Sequence, residues 1–162
     1  MENAKQARNG IKLFCLPYAG GSALVYNRWK QNFDSGIEMI PVEMSGRGRR
    51  IKEPFYRSMA DCVEDVFAGI RDEIRNTDYA LYGHSMGTLV IYELMNTIQK
   101  NGLKKPMHIF LSGRYPPHIE DQQKLNRLSD AEFIGEIMKL GGTPKELCEN
   151  KELMDIFIPI LK

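Results

Sequence analysis

Several features that would place this protein in a specialised class are scarce or missing from its 162 residues. Cysteine occurs only three times, at widely separated positions, which excludes a disulfide framework and a zinc site built on paired cysteines. We interpret Cys15 and Cys62, which stand inside apolar patterns, as small core residues. No apolar run approaches the ~18 residues of a membrane span, and none follows the charged start as in a signal peptide. These absences predict a cytoplasmic protein with no membrane partner.

A strong charge of either sign is also lacking, since 22 Lys and Arg stand against 21 Asp and Glu. A net charge of +1 gives no electrostatic reason to expect nucleic acid or an anionic membrane as partner. What is present, 43% hydrophobic and 27% charged residues, suits one soluble globular domain with an adequate core. We therefore expect residues 1–162 to form a single domain.

Short apolar runs alternate with amphipathic segments over the first two thirds of the chain. Strands are predicted at residues 11–16, 37–44, 79–82 and 107–112, with helices after most of them. The strongest helical pattern begins after Ser58, where apolar residues recur every three or four positions and Asp61 can complete the cap. Strands that alternate with helices indicate an α/β fold with a doubly wound, mostly parallel sheet.

Beyond residue 114 the alternation stops, because helices follow one another with no strand between them. They are predicted at residues 128–140, 144–149 and 151–161. Ser129 with Glu132 forms a capping box at the start of the first, and Gly141 marks its end. The chain thus divides into a sheet-containing part, residues 1–114, and a helical part, residues 115–162.

The segment GHSMG places one serine between two glycines, directly after a predicted buried strand and directly before an apolar helix. In a nucleophile elbow, Gly83 and Gly87 let the strand and the helix approach closely while Ser85 occupies a strained turn. The Met86 N–H then lies at a helix N-terminus, where it can stabilise an oxyanion. Ala19, in the glycine-rich loop after the first strand, is predicted to supply a second N–H. The alternative for both segments is a plain strand-to-helix turn.

Five segments in order along the chain resemble the type II thioesterases, stand-alone α/β-hydrolases that accompany nonribosomal peptide and polyketide synthetases. They are LPYAGGSALVYNRW, SGRGRRIKEP, GHSMG, LSGRYPP and LSDAEFIGEIMKLGGTPKEL. The resemblance implies a hydrolase that removes wrongly attached acyl groups from acyl or peptidyl carrier domains through an acyl-enzyme at Ser85. The phosphopantetheine that bears the acyl group belongs to the carrier, so the protein itself is expected to need no cofactor and no metal.

The resemblance also implies that the helical part, residues 115–162, is a lid over the acyl site. Its apolar residues would face either the protein core or the acyl chain, and we favour core packing for each. These residues are Phe133, Ile137, Met138 and Leu140.

A base for Ser85 is missing from the sequence pattern. In this fold a carboxylate and then a histidine follow the serine along the chain. We expect His84 to support the elbow, His108 to lie on a strand as an interior or sheet-face residue, and His118 to be a solvated loop residue. No histidine follows any aspartate that comes after the serine. We therefore expect the chain to be a C-terminally truncated thioesterase, with the acid, the base and the last strands of the sheet beyond Lys162.

A basic loop, with Arg47, Arg49 and Arg50, follows the second predicted strand. These guanidinium groups are candidates for contact with the phosphate or the acidic surface of a carrier domain, and the alternative is a solvated or internally paired loop. Two other functions stay open. One is a different serine hydrolase or acyltransferase that shares only the elbow, and the other is a non-catalytic remnant that still binds carrier proteins.

Overall fold

The structure is a computed structural model that describes residues 10–116, 119, 125–139 and 150–161. These residues belong to two compact units, the first ending at Pro117 and the second beginning at His118. In the described residues, no helix is both long enough and apolar enough to cross a membrane.

The first unit is a four-stranded sheet with helices. Its elements are β1 (Ile11–Leu16), a 3-10 helix (Ala23–Asn32), β2 (Ile37–Pro41), a 3-10 turn (Gly48–Arg50), α1 (Met59–Asn76), β3 (Tyr79–His84), α2 (Met86–Lys100) and β4 (His108–Ser112). The strand order is β2-β1-β3-β4 and every pair is parallel. From β1 the chain proceeds to β2 on one side and later to β3 on the other, so the sheet has a switch point between β1 and β3. The predicted α/β fold with a mostly parallel sheet is confirmed.

The two faces of the sheet are covered differently, as the alternation of side chains along β1 illustrates. Phe14 and Leu16 join a cluster that α1 and α2 cover, whereas Leu13 and Cys15 join a second cluster with Tyr26 of the 3-10 helix. The α1 residues that face the sheet are spaced by three or four positions. They are Cys62, Val63, Val66, Ile70 and Ile74.

Several element boundaries differ from the sequence-based expectations. The helix expected after the glycine-rich loop is a 3-10 helix, in which Val25 and Trp29 are both 37% exposed. The second strand ends at Pro41 rather than at residue 44, after which the chain turns into a buried loop. β3 continues to His84 and so leads into the elbow without a break. The cap of α1 is as predicted, since Ser58 Oγ accepts the Asp61 N–H at 3.1 Å.

The second unit contains a 3-10 turn (Leu125–Arg127), α3 (Asp130–Lys139) and α4 (Lys151–Leu161). The capping box is present, because Ser129 N–H donates to Glu132 Oε2 at 3.0 Å and Glu132 N–H donates to Ser129 Oγ at 3.4 Å. Phe133 is buried in a cluster against which Ile137 packs, whereas Met138 is 39% exposed. Leu140, Gly141 and the helix expected at residues 144–149 lie outside the described residues.

Candidate active site

Ser85 occupies a backbone conformation that side-chain-bearing residues rarely adopt. It lies between the last residue of β3 and the first of α2, with φ 51° and ψ −111°. Within the described part of the chain no other residue except glycine has a positive φ. Such a conformation costs about 1–3 kcal/mol and persists only where surrounding contacts impose it. A half-buried serine in a strained strand-to-helix turn is the arrangement that a nucleophile elbow requires.

The two glycines of GHSMG are required by close backbone contacts. A Cβ added to Gly83 would lie 2.5 Å from the carbonyl oxygen of Gly87, inside the elbow itself. A Cβ added to Gly87 would overlap the carbonyl oxygen of Leu16 and lie 3.0 Å from that of Pro17. The start of α2 therefore packs directly against the chain where it leaves β1, and no side chain fits between them.

This packing brings the glycine-rich loop after β1 beside the elbow, because β1 and β3 are paired with Leu16 opposite Gly83. Within the loop, Gly21 N–H donates to Tyr18 O at 3.0 Å and Gly20 has φ 76°. A turn closed in this way, with a positive φ at its third residue, has the features of a type II turn. The N–H of its second residue, Ala19, takes no part in the turn's own hydrogen bond.

Met86 is the first residue of α2, so its N–H is one of the unsatisfied donors at the positive end of a helix. In the described residues, neither this N–H nor that of Ala19 has a hydrogen-bond acceptor. Two unpaired donors on adjacent loops at one edge of the sheet are suited to stabilise a developing oxyanion.

Ser112, the last residue of β4, supports the elbow from the neighbouring strand. Its carbonyl oxygen accepts the N–H of Ser85 at 2.8 Å, and its Oγ lies 2.9 Å from His84 Nδ1 and 2.8 Å from the Tyr82 hydroxyl. On the other side, Thr88 donates both its N–H and its Oγ1 to the Ser85 carbonyl, at 3.0 and 2.7 Å. The ring of His84 is thus bonded to the end of β4.

No general base is bonded to Ser85 within the described ranges of the chain. Of the two histidines described there, His84 contacts Ser112, and His108 on the exposed edge strand packs against Phe110 with their ring centroids 4.4 Å apart. His108 is therefore a sheet-face residue and not an interior one. His118, the third histidine, lies outside the described residues.

Other reactive chemistry is disfavoured in the described part of the chain. Burial raises the pKa of the Cys15 and Cys62 thiols to about 12, so both are protonated at neutral pH and unsuited to nucleophilic attack. No cluster of His, Cys, Asp or Glu side chains with the composition of a metal site occurs among the residues described. Ser85 is half-buried and lies in a strained turn, which makes it the candidate nucleophile among the residues described.

The basic loop is more internally bonded than its sequence suggests. Arg50 donates to both oxygens of Asp65, at 2.6 and 2.9 Å, and to Glu53, with a closest approach of 2.5 Å. These bonds raise the pKa of the Arg50 guanidinium and lower that of the Asp65 carboxyl. Arg47 lies over the ring of Phe55 at 4.8 Å, and Arg49 is exposed. Arg50 is therefore paired with acids of the same chain, as the alternative to a carrier contact predicted.

The internal partners of this loop are not evident from the sequence. Tyr56 donates its hydroxyl to Asp65 at 2.5 Å and accepts the N–H of Ser45, and Glu43 is a buried acid just after β2. The signal that could have found Glu43 is its position, since an acid within the apolar stretch of residues 37–44 needs polar partners if it is buried.

The sequence matches the family model described as Thioesterase domain over residues 11–162. The chain belongs to the thioesterase family. It is 36% identical over 156 residues to the linear gramicidin dehydrogenase LgrE of Brevibacillus parabrevis and 37% identical over 153 residues to the gramicidin S biosynthesis protein GrsT of Aneurinibacillus migulanus. Each alignment covers 94% of this chain and 59% of the relative. This chain therefore spans about three fifths of the length of these two relatives.

Solved structures agree with the family assignment. The crystal structure of ClbQ from the colibactin NRPS/PKS pathway superposes on this thioesterase-family chain with a TM-score of 0.83 and a sequence identity of 41%. The superposition covers 94% of this chain and 64% of ClbQ. The resemblance to type II thioesterases inferred from the five sequence segments is confirmed.

Proposed function

We propose that this chain provides the nucleophile and the oxyanion hole of a type II thioesterase that hydrolyses acyl thioesters on carrier domains. The observation that supports this most directly is the positive φ of Ser85. This serine lies between β3 and α2, next to the switch point of a parallel sheet. Editing of wrongly primed synthetases is the role we infer, because GrsT and ClbQ are named for peptide and polyketide biosynthesis.

In the proposed reaction, Ser85 Oγ attacks the thioester carbonyl carbon, and the carbonyl oxygen takes up negative charge. The N–H groups of Met86 and Ala19 donate to that oxygen. The C–S bond then breaks, the phosphopantetheine sulfur leaves and is protonated, and water hydrolyses the serine ester. A thiolate is a better leaving group than an amine, so the reaction depends more on activation of Ser85 than on protonation of the leaving group.

We assign the base that accepts the Ser85 proton to a histidine other than His84, which contacts Ser112, and His108, which packs against Phe110. His118 is one candidate, and a histidine encoded beyond Lys162, as expected from the order of the family's triad, is the other. In subtilisin, loss of the catalytic base lowers turnover by about 10⁶-fold. The 162-residue chain should therefore release acyl groups at a substantial rate if His118 is the base, and almost none if the base is encoded beyond Lys162.

Carrier contact is proposed for Arg47 and Arg49. Arg49 is exposed on the turn after β2, where it can meet a phosphate or an acidic surface. Arg47 is half-buried over Phe55 and donates one N–H to the Gly46 carbonyl oxygen at 3.1 Å, and its guanidinium is the weaker of the two candidates. Arg50 is removed from this set because its donors are already used by Asp65 and Glu53. Phosphopantetheine arrives as part of the substrate, and the protein is proposed to act in the cytoplasm without a cofactor of its own.

The experiment is release of a radiolabelled acyl group from a loaded carrier domain. The 162-residue chain, a version extended along its reading frame where that continues, and Ser85→Ala of each are compared. We expect release by the extended protein, none above background by Ser85→Ala, and a large loss on His118→Ala only if that histidine is the base. Equal release by the parent and by Ser85→Ala would refute the thioesterase mechanism.

The alternatives are separated in the same assay. A serine hydrolase that shares only the elbow would cleave a free acyl ester while leaving the carrier thioester intact. A non-catalytic remnant would bind the loaded carrier without releasing the acyl group. The dehydrogenase name of LgrE is not carried over, because these 162 residues contain no G-x-G-x-x-G dinucleotide segment.

A further inference from the structure

Glu43 is a buried acid that the catalytic scheme does not use. It follows β2 closely and is only 5% exposed. Its Oε1 accepts the backbone N–H of Ala23 at 2.9 Å, and its Oε2 accepts that of Arg49 at 3.4 Å. Burying a carboxyl group is costly unless its oxygens are hydrogen-bonded, so an acid at this position requires these two donors.

The surroundings of Glu43 are shaped to hold the carboxylate. Gly48 has φ 42°, and a Cβ at that position would overlap Oε2 of Glu43. Arg50 reaches the same residue from the other side, but it donates to the backbone oxygen of Glu43 at 3.1 Å and not to the carboxylate. The carboxylate is thus directed at backbone N–H groups, and the nearby guanidinium leaves it free to bind them.

The donor at Ala23 is the first residue of the 3-10 helix, immediately after the loop that contains Ala19. An N–H in the first turn of a helix has no acceptor within the helix, and a negative charge there is favourable. The Glu43 bond therefore holds the end of the glycine-rich loop at Ala23.

The beginning of the same loop is fixed independently. The Leu16 carbonyl accepts the Tyr26 hydroxyl at 2.8 Å and packs against Gly87 of the elbow. Between these two anchors lie only the residues of the turn around Ala19. The loop is thus held at Leu16 by its contacts with Tyr26 and Gly87, and at Ala23 by Glu43. The direction of the Ala19 N–H depends on both of these contacts.

We propose that Glu43 is a positioning residue for catalysis, which holds the glycine-rich loop so that the Ala19 N–H points at the oxyanion. The inference rests on the proposed function, since it needs Ala19 to be an oxyanion donor. Whether or not a thioester is the substrate, the carboxylate of Glu43 protects the Ala23 amide from exchange.

Two variants separate a hydrogen bond from simple space filling. Glu43→Gln keeps a carbonyl oxygen that can accept from Ala23 and gives up the long contact to Arg49. Glu43→Met fills a similar volume with no acceptor. Asp34→Ala is the matched control, because Asp34 Oδ1 accepts the Gly36 N–H at 2.8 Å in an exposed turn before β2.

The first readout is amide hydrogen exchange of Ala23 by NMR, which requires no activity. Glu43→Met is expected to lose protection at Ala23, and Glu43→Gln is expected to keep it. The second readout is acyl release from a loaded carrier by the full protein. There Glu43→Met is expected to lower kcat by about 10- to 100-fold with KM little changed, because misplacing an oxyanion donor weakens binding of the transition state alone. Glu43→Gln should restore most of kcat, and Asp34→Ala should match the parent.

Three results would overturn the proposal. They are unchanged Ala23 protection in Glu43→Met, a loss of kcat that Glu43→Gln shares in full, or a rise in KM with kcat preserved. If the full protein without substitutions releases no acyl group, the thioesterase proposal fails, and the exchange measurement still decides whether Glu43 anchors the loop. If Glu43→Met does not fold, Glu43→Gln must retain protection and kcat, and Glu43→Asp, whose shorter side chain withdraws the carboxylate from Ala23, must lose both.

Discussion

Substitution of Gly87 by alanine has two opposing effects on the free energy of unfolding, and the size of each can be worked out separately. Gly87 is the second residue of α2, and alanine in a helix is favoured over glycine by up to about 1 kcal/mol. Against this, the new Cβ would overlap the Leu16 carbonyl oxygen and lie 3.0 Å from that of Pro17. Both are backbone atoms of a buried segment, so neither can move aside as a flexible side chain would.

Relief of this overlap requires α2 to shift away from the end of β1. Inserting a methyl group into a close-packed site typically costs about 1–3 kcal/mol, and backbone neighbours place this case at the upper end. Subtracting the gain in helix propensity leaves a net loss of about 1–2 kcal/mol. In a domain of about this size, that corresponds to a fall in Tm of roughly 2–8 °C.

The assay is urea and thermal unfolding of Gly87→Ala beside Gly69→Ala, the matched control. Gly69 lies within α1 and is exposed, and a Cβ there meets no atom within 4 Å. The same chemical change should therefore stabilise the control by about 0.5–1 kcal/mol. Opposite signs for the two variants are expected. If Gly87→Ala is as stable as the parent or more so, the close contact between the elbow and β1 is not a real constraint.

Two further predictions concern acid stability and thiol reactivity. The hydrogen bond from Arg50 lowers the pKa of Asp65, so Asp65 contributes stability above its ordinary pKa of 3.8 and loses it as pH falls through the lowered value. The Tm deficit of Asp65→Asn should accordingly be largest near neutral pH and shrink below about pH 4, and a constant deficit would contradict the assigned cause. Cys15 and Cys62 should react with a thiol reagent at pH 7 only after denaturation, as read by mass spectrometry, because burial raises the pKa of each to about 12. Rapid labelling of either cysteine in the native protein would show that its segment opens.

The parts of the fold that sequence could predict are those set by local patterns. The short continuous apolar run of β1 predicts a strand buried on both faces, and the helical spacing after Ser58 predicts a helix that buries one face. Both elements are present. The elbow was predictable because the G-x-S-x-G spacing is local, and the contact that requires Gly83 is with Gly87 of the same segment. The contact that requires Gly87 is with the end of β1, which the sequence did not reveal.

The parts that sequence could not predict depend on side chains distant along the chain. Arg50 was a candidate for a partner surface until the structure placed Asp65, fifteen residues on, against its guanidinium. The role of Glu43 likewise depends on Ala23, from which it is separated by twenty residues. Charge in a loop indicates that partners are needed, but the sequence alone does not say whether they are internal.

The strained turn at Ser85 is stabilised by hydrogen bonds to the Ser85 backbone, so its conformation does not depend on the Ser85 side chain. The Ser112 carbonyl oxygen accepts the N–H of Ser85, Thr88 donates to the Ser85 carbonyl oxygen, and neither bond involves the Ser85 hydroxyl. The conformational cost of about 1–3 kcal/mol is therefore offset whether or not a base is bound to Oγ. It follows that Ser85→Ala should leave the turn and the N–H groups of Met86 and Ala19, the proposed oxyanion donors, in place. A Ser85→Ala protein that still binds an acyl-loaded carrier, while releasing nothing from it, would separate the binding function of this architecture from its chemistry.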